Sequence, residues 1–183
     1  MIYMFLAEGF EEIEALCPLD LMRRAGLKVA TVGIGGEYIT GAHAITVRAD
    51  ISESEFCSIF ARESADMIFL PGGMPGTLNL GASETVRDSI RSMAEDGRYI
   101  AAICAAPSIL GEMKLLLGKR AICYPGFERQ LEGAIISYER VVLDGNILTA
   151  AGMGAALDMG LEIVGIFCGK EKAESLRSAV IAD

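Results

Sequence analysis

The sequence has no tryptophan, a single histidine and few basic residues. Its 183 residues include 16 Lys and Arg against 25 Asp and Glu, which gives a formal net charge of −9. A protein that binds a polyanion needs clustered cations that displace counterions. Adjacent cations occur here only in pairs, such as Arg23–Arg24, which lies at the predicted end of a helix and complements the helix dipole. We therefore expect no nucleic-acid partner.

Closely spaced cysteines are also absent. The five thiols are Cys17, Cys57, Cys104, Cys123 and Cys168. This odd and scattered set supports neither a disulfide framework nor a CxxC motif. A zinc site would need several of these distant thiols to converge on His43, the one histidine. We therefore expect no metal and no cofactor.

Long apolar runs are missing as well. Residues 1–6 are apolar but short, and they lead directly into Glu8 without a basic leader. Residues 150–169 are the longest candidate for a membrane span, but they contain Asp158 and Glu162 on one helical face. This segment is better explained as a helix of an α/β domain. We expect no membrane partner and a cytoplasmic location.

Short apolar runs alternate with amphipathic stretches along the chain. The predicted strands span residues 2–6, 28–33, 45–47, 67–70, 99–103, 120–123, 140–143 and 147–149. The predicted helices span roughly residues 11–25, 83–96, 107 onward, 154–167 and 171–180. This alternation indicates one α/β domain over residues 1–183, with a mostly parallel sheet covered by helices on both faces.

Single residues mark several of the predicted boundaries. Pro18 should kink the first helix and Gly26 should end it. Ser83 is placed to cap the second helix, and Asp144–Gly145 suits a hairpin turn. Three loops follow strand ends, at residues 7–11, 71–76 and 104–107. Because ligands of such sheets bind beyond the carboxyl ends of the strands, these loops predict one crevice.

Cys104 lies in the most distinctive of these loops. It follows an apolar strand and precedes a helix that Pro107 can open, and its neighbours Ala105 and Ala106 are small. This arrangement resembles a nucleophile elbow. A helix N-terminus would lower the thiol pKa from about 8.5 to about 7, and the amides of the Gly72–Gly73 turn could lower it further. The alternative is a buried structural thiol, a common state of cysteine.

Glu14 is the candidate acid for this thiol. Glu11 and Glu14 roughly share a helical face, whereas Glu12 points elsewhere. An ionised carboxylate beside a thiolate would raise both pKa values, so such a glutamate should share a proton with the thiol and titrate with it as a coupled pair. The alternative is an exposed acid in the first turn of a helix, where acids are favoured in any case.

Four segments, in order, carry the motifs of a known family. They are residues 7–14 (AEGFEEIE), 22–26 (MRRAG), 70–73 (LPGG) and 101–107 (AAICAAP). Together they resemble the DJ-one-like branch of the ThiJ/PfpI superfamily over nearly the whole chain. The resemblance implies a flavodoxin-like three-layer sandwich and a homodimer. It also implies a nucleophile at Cys104, a protonated partner at Glu14 and oxyanion-type amides at Gly73 and Ala105.

The resemblance also implies a set of activities. The first expectation is a cysteine-dependent protein that acts on small reactive carbonyls, as a glutathione-independent glyoxalase or a deglycase. The alternative is a stress-protective, redox-sensing or chaperone-like protein in which peroxide oxidises Cys104. A cysteine peptidase ranks third, because Ala105 and not histidine follows Cys104. Tyr124 stands where many members have histidine, and residues 151–154 (AGMG) replace a common Arg-Gly-Pro-Gly run.

Three further residues are weaker site candidates. His43 is either a surface histidine or an anion or substrate contact across the dimer, since it matches a family arginine. Tyrosine has an ordinary pKa of about 10, which makes it a poor base near neutral pH. We therefore expect Tyr124 to form a wall of the pocket and not to act as a base. Asp20 is either a pocket residue or a solvated helical acid.

Overall fold

The computed structural model describes residues 1–63 and 65–182. The strands in these ranges are β1 (Ile2–Leu6), β2 (Val29–Gly33), β3 (Tyr38–Thr40), β4 (Thr46–Arg48), β5 (Ile51–Ser52), β6 (Met67–Leu70), β7 (Tyr99–Ile103), β8 (Arg120–Ala121), β9 (Ile135–Ile136), β10 (Val141–Asp144) and β11 (Ile147–Ala150). Seven of these described strands form the central sheet, in the order β10-β11-β7-β6-β1-β2-β5. Their pairings are parallel except that of β10 with β11. The pairs β3–β4 and β8–β9 form two small separate sheets.

In the part of the chain that the structure describes, seven α-helices connect and cover these strands. They are α1 (Glu12–Arg24), α2 (Glu53–Phe60), α3 (Gly76–Ala82), α4 (Glu84–Glu95), α5 (Pro107–Glu112), α6 (Ala156–Cys168) and α7 (Lys170–Ala179). Two 3₁₀ turns lie at Glu128–Gln130 and Met153–Ala155. No helix within the described residues combines the length and the apolar content that crossing a membrane requires.

Both faces of the sheet are buried, as strand β1 shows. Its residues Tyr3 and Phe5 belong to one apolar cluster, which includes residues of α4 and α5. Met4 and Leu6 belong to a second cluster, which includes residues of α1 and α6. Because successive side chains of a strand point to opposite faces, this division places helices on both sides. The predicted α/β sandwich with a mostly parallel sheet is confirmed.

Most predicted boundaries agree with the structure within a few residues. Gly26 ends α1 with a positive φ of 85°, and Pro18 lies inside that helix, which continues through it to Arg24. The Ser83 side chain caps α4. Gly145 turns the hairpin between β10 and β11.

Two differences have local physical reasons. The strand predicted at residues 120–123 ends at Ala121, because the Ile122 amide donates to the Thr149 side chain instead of to a neighbouring strand. Helices α2 and α3 and strands β3, β5 and β9 were not predicted. For α2 a signal was present, since Ser52 and Glu55 form a capping box.

Candidate active site

Cys104 follows strand β7 on a strained turn. Its φ is +64°, a value that side chains other than glycine rarely adopt. The Cys104 amide donates to the Ala150 carbonyl at 2.9 Å, and its own carbonyl accepts from the Tyr124 amide at 2.8 Å. These two hydrogen bonds hold the turn from both sides. The predicted elbow is therefore present, and Cys104 is half-buried.

Two backbone amides point at the sulfur. Those of Gly73 and Ala105 both donate to the Cys104 thiol. Gly73 has a φ of +91°, and a Cβ there would lie 2.3 Å from the Glu11 nitrogen. Only glycine fits this position, because a side chain would collide with main-chain atoms. The structure thus places at the sulfur the two amides that the resemblance nominates.

Glu14 approaches the same sulfur from helix α1. Its side chain is buried, with 1% of the residue exposed, and it is hydrogen-bonded to the Cys104 thiol. Its Oε2 accepts from the Gly72 amide at 3.0 Å, and the Met153 amide donates to the same carboxyl group. Gly72 was expected to serve the sulfur together with Gly73. The structure instead directs its amide to the carboxyl group.

The helix start fixes where Glu14 points. Glu11 is the N-cap of α1, and its Oε2 accepts from the Glu14 amide at 2.7 Å. The Glu11 amide donates to the Gly72 carbonyl at 2.9 Å, which ties the helix start to the loop after β6. A Cβ on Gly72 would lie 2.5 Å from Glu14 Oε2 and 2.7 Å from the Cys104 Cβ. The lack of a side chain at Gly72 therefore allows the acid and the thiol to meet.

Burial raises the pKa values of both groups. Burial, with a smaller contribution from the nearby Glu11 carboxylate, raises the pKa of Glu14 from 4.5 to about 7. Burial and the Glu14 carboxylate raise the pKa of Cys104 from 9.0 to about 12. The amides of Ala105 and Gly73 only partly oppose this increase. The expectation that a helix terminus lowers the thiol pKa to about 7 is corrected, because burial and the carboxylate outweigh it.

The two groups titrate together. Between pH 7 and pH 12 they hold one proton between them. Because the pKa of the thiol lies above that of Glu14, this proton is on the sulfur at rest and the Glu14 carboxyl group is ionised. The Glu14 carboxylate is then the base that can take the thiol proton when the sulfur attacks a substrate.

A shallow cavity lies beside the sulfur. It has a volume of about 370 Å³, and its lining includes Tyr124, Arg140, Gly152 and Met153. A Cβ on Gly152 would lie 3.3 Å from the Tyr124 ring and 3.8 Å from the Cys104 sulfur, so Tyr124 forms a wall of the approach. The sequence pattern did not predict that the Met153 amide donates to the Glu14 carboxyl group. The glycine-flanked run at 152–154 was the available signal, since glycine permits close backbone approach.

A larger cavity, of about 620 Å³, lies elsewhere. Its lining includes Glu8, Tyr38, Glu53 and Asn79. Neither Cys104 nor Glu14 is in the lining of either cavity. We assign the chemistry to the smaller space because Gly152, which lines it, lies beside the Cys104 sulfur.

Two of the weaker candidates lie away from the thiol. The Asp20 carboxylate forms an exposed ion pair with Arg24 at 2.5 Å, about two helical turns beyond Glu14. The exposed imidazole of His43 lies 2.9 Å from Glu12 Oε2, and this hydrogen bond raises the pKa of His43. Within the described residues, the structure brings neither Asp20 nor His43 into the hydrogen-bonded cluster around Cys104.

Comparison with known proteins places this site in a family. The sequence model of the DJ-1/PfpI family matches residues 1–165. Protein dj-1beta of Drosophila melanogaster is 35% identical over 179 residues, which is 96% of this chain and 94% of that protein. The glutathione-independent glyoxalase DJR-1.2 of Caenorhabditis elegans is 28% identical over 170 residues, which is 92% of this chain and 89% of that protein.

A solved structure shows the same fold. The structure described as Toxoplasma gondii DJ-1, oxidized, superposes with a TM-score of 0.92 at 30% sequence identity. The match covers 98% of this chain and 97% of that one. This chain therefore belongs to the DJ-1/PfpI family.

Proposed function

We propose that this protein converts small 2-oxoaldehydes into 2-hydroxy acids without glutathione, with Cys104 as the nucleophile. The observation that carries the proposal is the position of the buried Glu14 carboxyl group next to the Cys104 thiol, where the two groups titrate as a coupled pair. A C. elegans relative that is named a glutathione-independent glyoxalase supports the same class of reaction.

The first step is attack of the sulfur on the aldehyde carbon. A bond forms between Cys104 Sγ and this carbon as the carbonyl π bond opens. The Glu14 carboxylate takes the thiol proton and passes it to the aldehyde oxygen, and the product is a hemithioacetal. The amides of Gly73 and Ala105, which donate to the sulfur at rest, are placed to stabilise negative charge on the oxygen while it develops.

The second step moves hydrogen between two carbons. The Glu14 carboxylate removes the hydrogen of the former aldehyde carbon as a proton and returns it to the neighbouring ketone carbon. The hydroxyl proton passes to the ketone oxygen, which leaves a thioester of the 2-hydroxy acid on Cys104. Water then adds to the thioester carbon and the carbon–sulfur bond breaks. This releases the acid and restores one proton to the Cys104–Glu14 pair.

Product formation tests the proposal directly. Purified protein that is incubated with methylglyoxal in the absence of any added thiol is expected to yield lactate, one molecule for each aldehyde consumed. Enzymatic assay of lactate, beside a protein-free reaction, measures the yield. Consumption of methylglyoxal without lactate would show adduct formation alone and would contradict the proposal. A deglycase-type activity would begin with the same attack, on the carbonyl-derived adduct of an amine or thiol.

A second candidate is a protective protein that senses peroxide through Cys104. A relative with 30% identity has a solved structure described as oxidized, and Cys104 is only half-buried here. The sulfur would take one oxygen atom from a first peroxide as water leaves, and a second oxygen from another peroxide. The resulting sulfinate could accept a hydrogen bond from protonated Glu14.

Peroxide titration separates this candidate from general thiol oxidation. Cys104 is expected to gain two oxygen atoms before Cys17, Cys57, Cys123 or Cys168 gains any. Intact-mass measurement followed by peptide mapping gives the order of oxidation, and Cys104→Ser is the matched control. Earlier oxidation of the exposed Cys57 or Cys168 would remove the sensor hypothesis.

The remaining expectations have weaker support. A cysteine peptidase lacks an adjacent histidine base, since Ala105 follows Cys104 and the His43 imidazole is bound to Glu12. The homodimer stays a prediction that the solution mass would check. Exposed apolar side chains of Ile13 and Ile45 favour it, as does a mean hydropathy of +0.40. The cytoplasmic location also stays a prediction.

A further inference from the structure

We propose that Glu11, Glu12 and His43 form a binding site for a Zn²⁺ ion, outside the Cys104–Glu14 pair. Each residue offers one ligand atom, and the three atoms lie within 4.8 Å of one another. The two glutamates are at the start of helix α1, and His43 is in the loop between β3 and β4. The site therefore joins two elements that are about 30 residues apart in the sequence.

The distances suit a single metal ion. His43 Nδ1 lies 2.9 Å from Glu12 Oε2 and 4.0 Å from Glu11 Oε1. Zinc binds nitrogen and oxygen ligands at about 2.0–2.2 Å, so ligands of a tetrahedral ion are roughly 3.3 Å apart. The two observed distances lie on either side of that spacing. Because the His43 side chain is 68% exposed, it can adjust to both carboxylates and leave room for water as a fourth ligand.

In each carboxylate, one oxygen accepts backbone hydrogen bonds and the other oxygen faces His43. Glu12 Oε1 accepts the amides of His43 and Ile45, at 2.8 and 3.4 Å, which leaves Oε2 facing the imidazole. Glu11 Oε2 accepts the Glu14 amide, which leaves Oε1 on the side of His43. Fixed backbone donors therefore orient both groups. Outer hydrogen bonds of this kind are what hold metal ligands in place.

The loop is built around the buried carboxylate. A Cβ on Gly41 would lie 2.4 Å from Oε1 and from the carboxyl carbon of Glu12, so the loop can enclose this group only because residue 41 is glycine. The Ala42 amide donates to the Phe10 carbonyl at 2.8 Å, which ties the loop to the segment before α1. These contacts position the ligands before any ion arrives.

The ligand set indicates the type of ion. Once His43 loses its proton, as metal binding requires, two carboxylates beside the imidazole give the site a charge of −2, which favours a divalent cation. Magnesium and calcium prefer oxygen ligands alone, whereas zinc and its neighbours accept imidazole nitrogen together with carboxylate oxygen. The sequence-based expectation of no metal considered thiol ligands around His43. It did not consider the two glutamates.

Zinc titration of the full chain tests the site. Chelator-washed protein is expected to bind one Zn²⁺ by calorimetry, and the imidazole NMR signals of the only histidine are expected to shift up to one equivalent. His43→Ala and Glu11→Gln should each weaken binding by at least about tenfold. Glu8→Gln is the control, because Glu8 is an acid in the loop before α1 that does not belong to the cluster. This variant should retain the wild-type affinity for Zn²⁺.

Binding of Co²⁺ tests whether any cysteine thiol is a ligand of the metal. Co²⁺ bound to nitrogen and oxygen ligands gives weak visible bands, whereas a thiolate ligand adds an intense ultraviolet charge-transfer band. Gly41→Ala, which displaces the Glu12 carboxylate, should weaken binding while circular dichroism shows a folded chain. Wild-type affinity in His43→Ala, an unchanged imidazole spectrum or a thiolate band would each overturn the proposal.

Discussion

Cys104→Ser is expected to lower kcat/KM for methylglyoxal at least about a thousandfold, because the reaction needs a covalent bond to an ionisable sulfur. A serine hydroxyl in the same place is a far weaker acid and nucleophile. The Glu14 carboxyl group and the amides of Gly73 and Ala105 would remain, so any residual rate would measure what they supply alone. Steady-state assay of lactate at several methylglyoxal concentrations gives the ratio.

Cys57→Ser is the matched control for this substitution. Cys57 is exposed on helix α2, and its replacement makes the same chemical change outside the site. It should leave kcat/KM at the wild-type value. Equal rates for Cys104→Ser and wild type would contradict the covalent mechanism, and equal loss in both variants would indicate general thiol chemistry.

Glu14→Gln is expected to stabilise the folded protein at pH 8 relative to wild type. Burial raises the pKa of Glu14 from 4.5 to about 7, so folding opposes ionisation of this carboxyl group. Each pKa unit corresponds to about 1.4 kcal/mol, and this difference corresponds to about 3 kcal/mol of unfolding free energy above pH 7. Glutamine has no charge to bury and is free of this cost.

The direction of the pH dependence follows from the raised pKa. The contribution of protonated Glu14 to stability is fully present below pH 4.5 and is lost as the pH rises to about 7. Wild type should therefore lose about 2 to 3 kcal/mol of unfolding free energy between pH 5 and pH 8, relative to Glu14→Gln. Urea denaturation of both proteins at the two pH values measures this difference. Parallel pH profiles would contradict the raised pKa.

Glu12→Gln provides a control with the opposite sign. Burial raises the pKa of Glu12, but hydrogen bonds from the His43 side chain and from the His43 and Ile45 amides outweigh burial, and the net pKa is lowered. The stabilisation by ionised Glu12 is present above pH 4.5 and is lost as the pH falls below it. Removing this charge should destabilise the protein at pH 8. The same chemical change two residues apart should thus act in opposite directions.

The amino-acid pattern was informative wherever the cause of a structure is local. The buried strand β7 and the Pro107 start of α5 follow from neighbouring residues, and they place Cys104 at the turn between them. The N-cap position of Ser83 is likewise a property of a few residues. The alternation of strands and helices predicted the parallel sheet. A strand that is buried on both faces consists almost entirely of apolar residues, and such runs can be recognised in the sequence.

The site could be predicted only in part, since its properties depend on burial. The motifs nominated Cys104 and Glu14, but the direction of the thiol pKa was wrong because the extent of burial cannot be read from neighbours in sequence. Asp20 was a candidate by its position in the helix, and it faces outward to Arg24. The contribution of the Met153 amide arises from a backbone position that side-chain chemistry does not reveal.

The sequence by itself determined the α/β class, the order of most elements and the turn that carries Cys104, because periodicity, caps and turns act over a few residues. The tertiary structure alone decided that Glu14 lies beside Cys104, that the Gly72 amide donates to Glu14, and that Glu12 contacts His43. Those contacts join segments that are far apart in the chain, and their energies depend on burial, which appears only when the chain is folded.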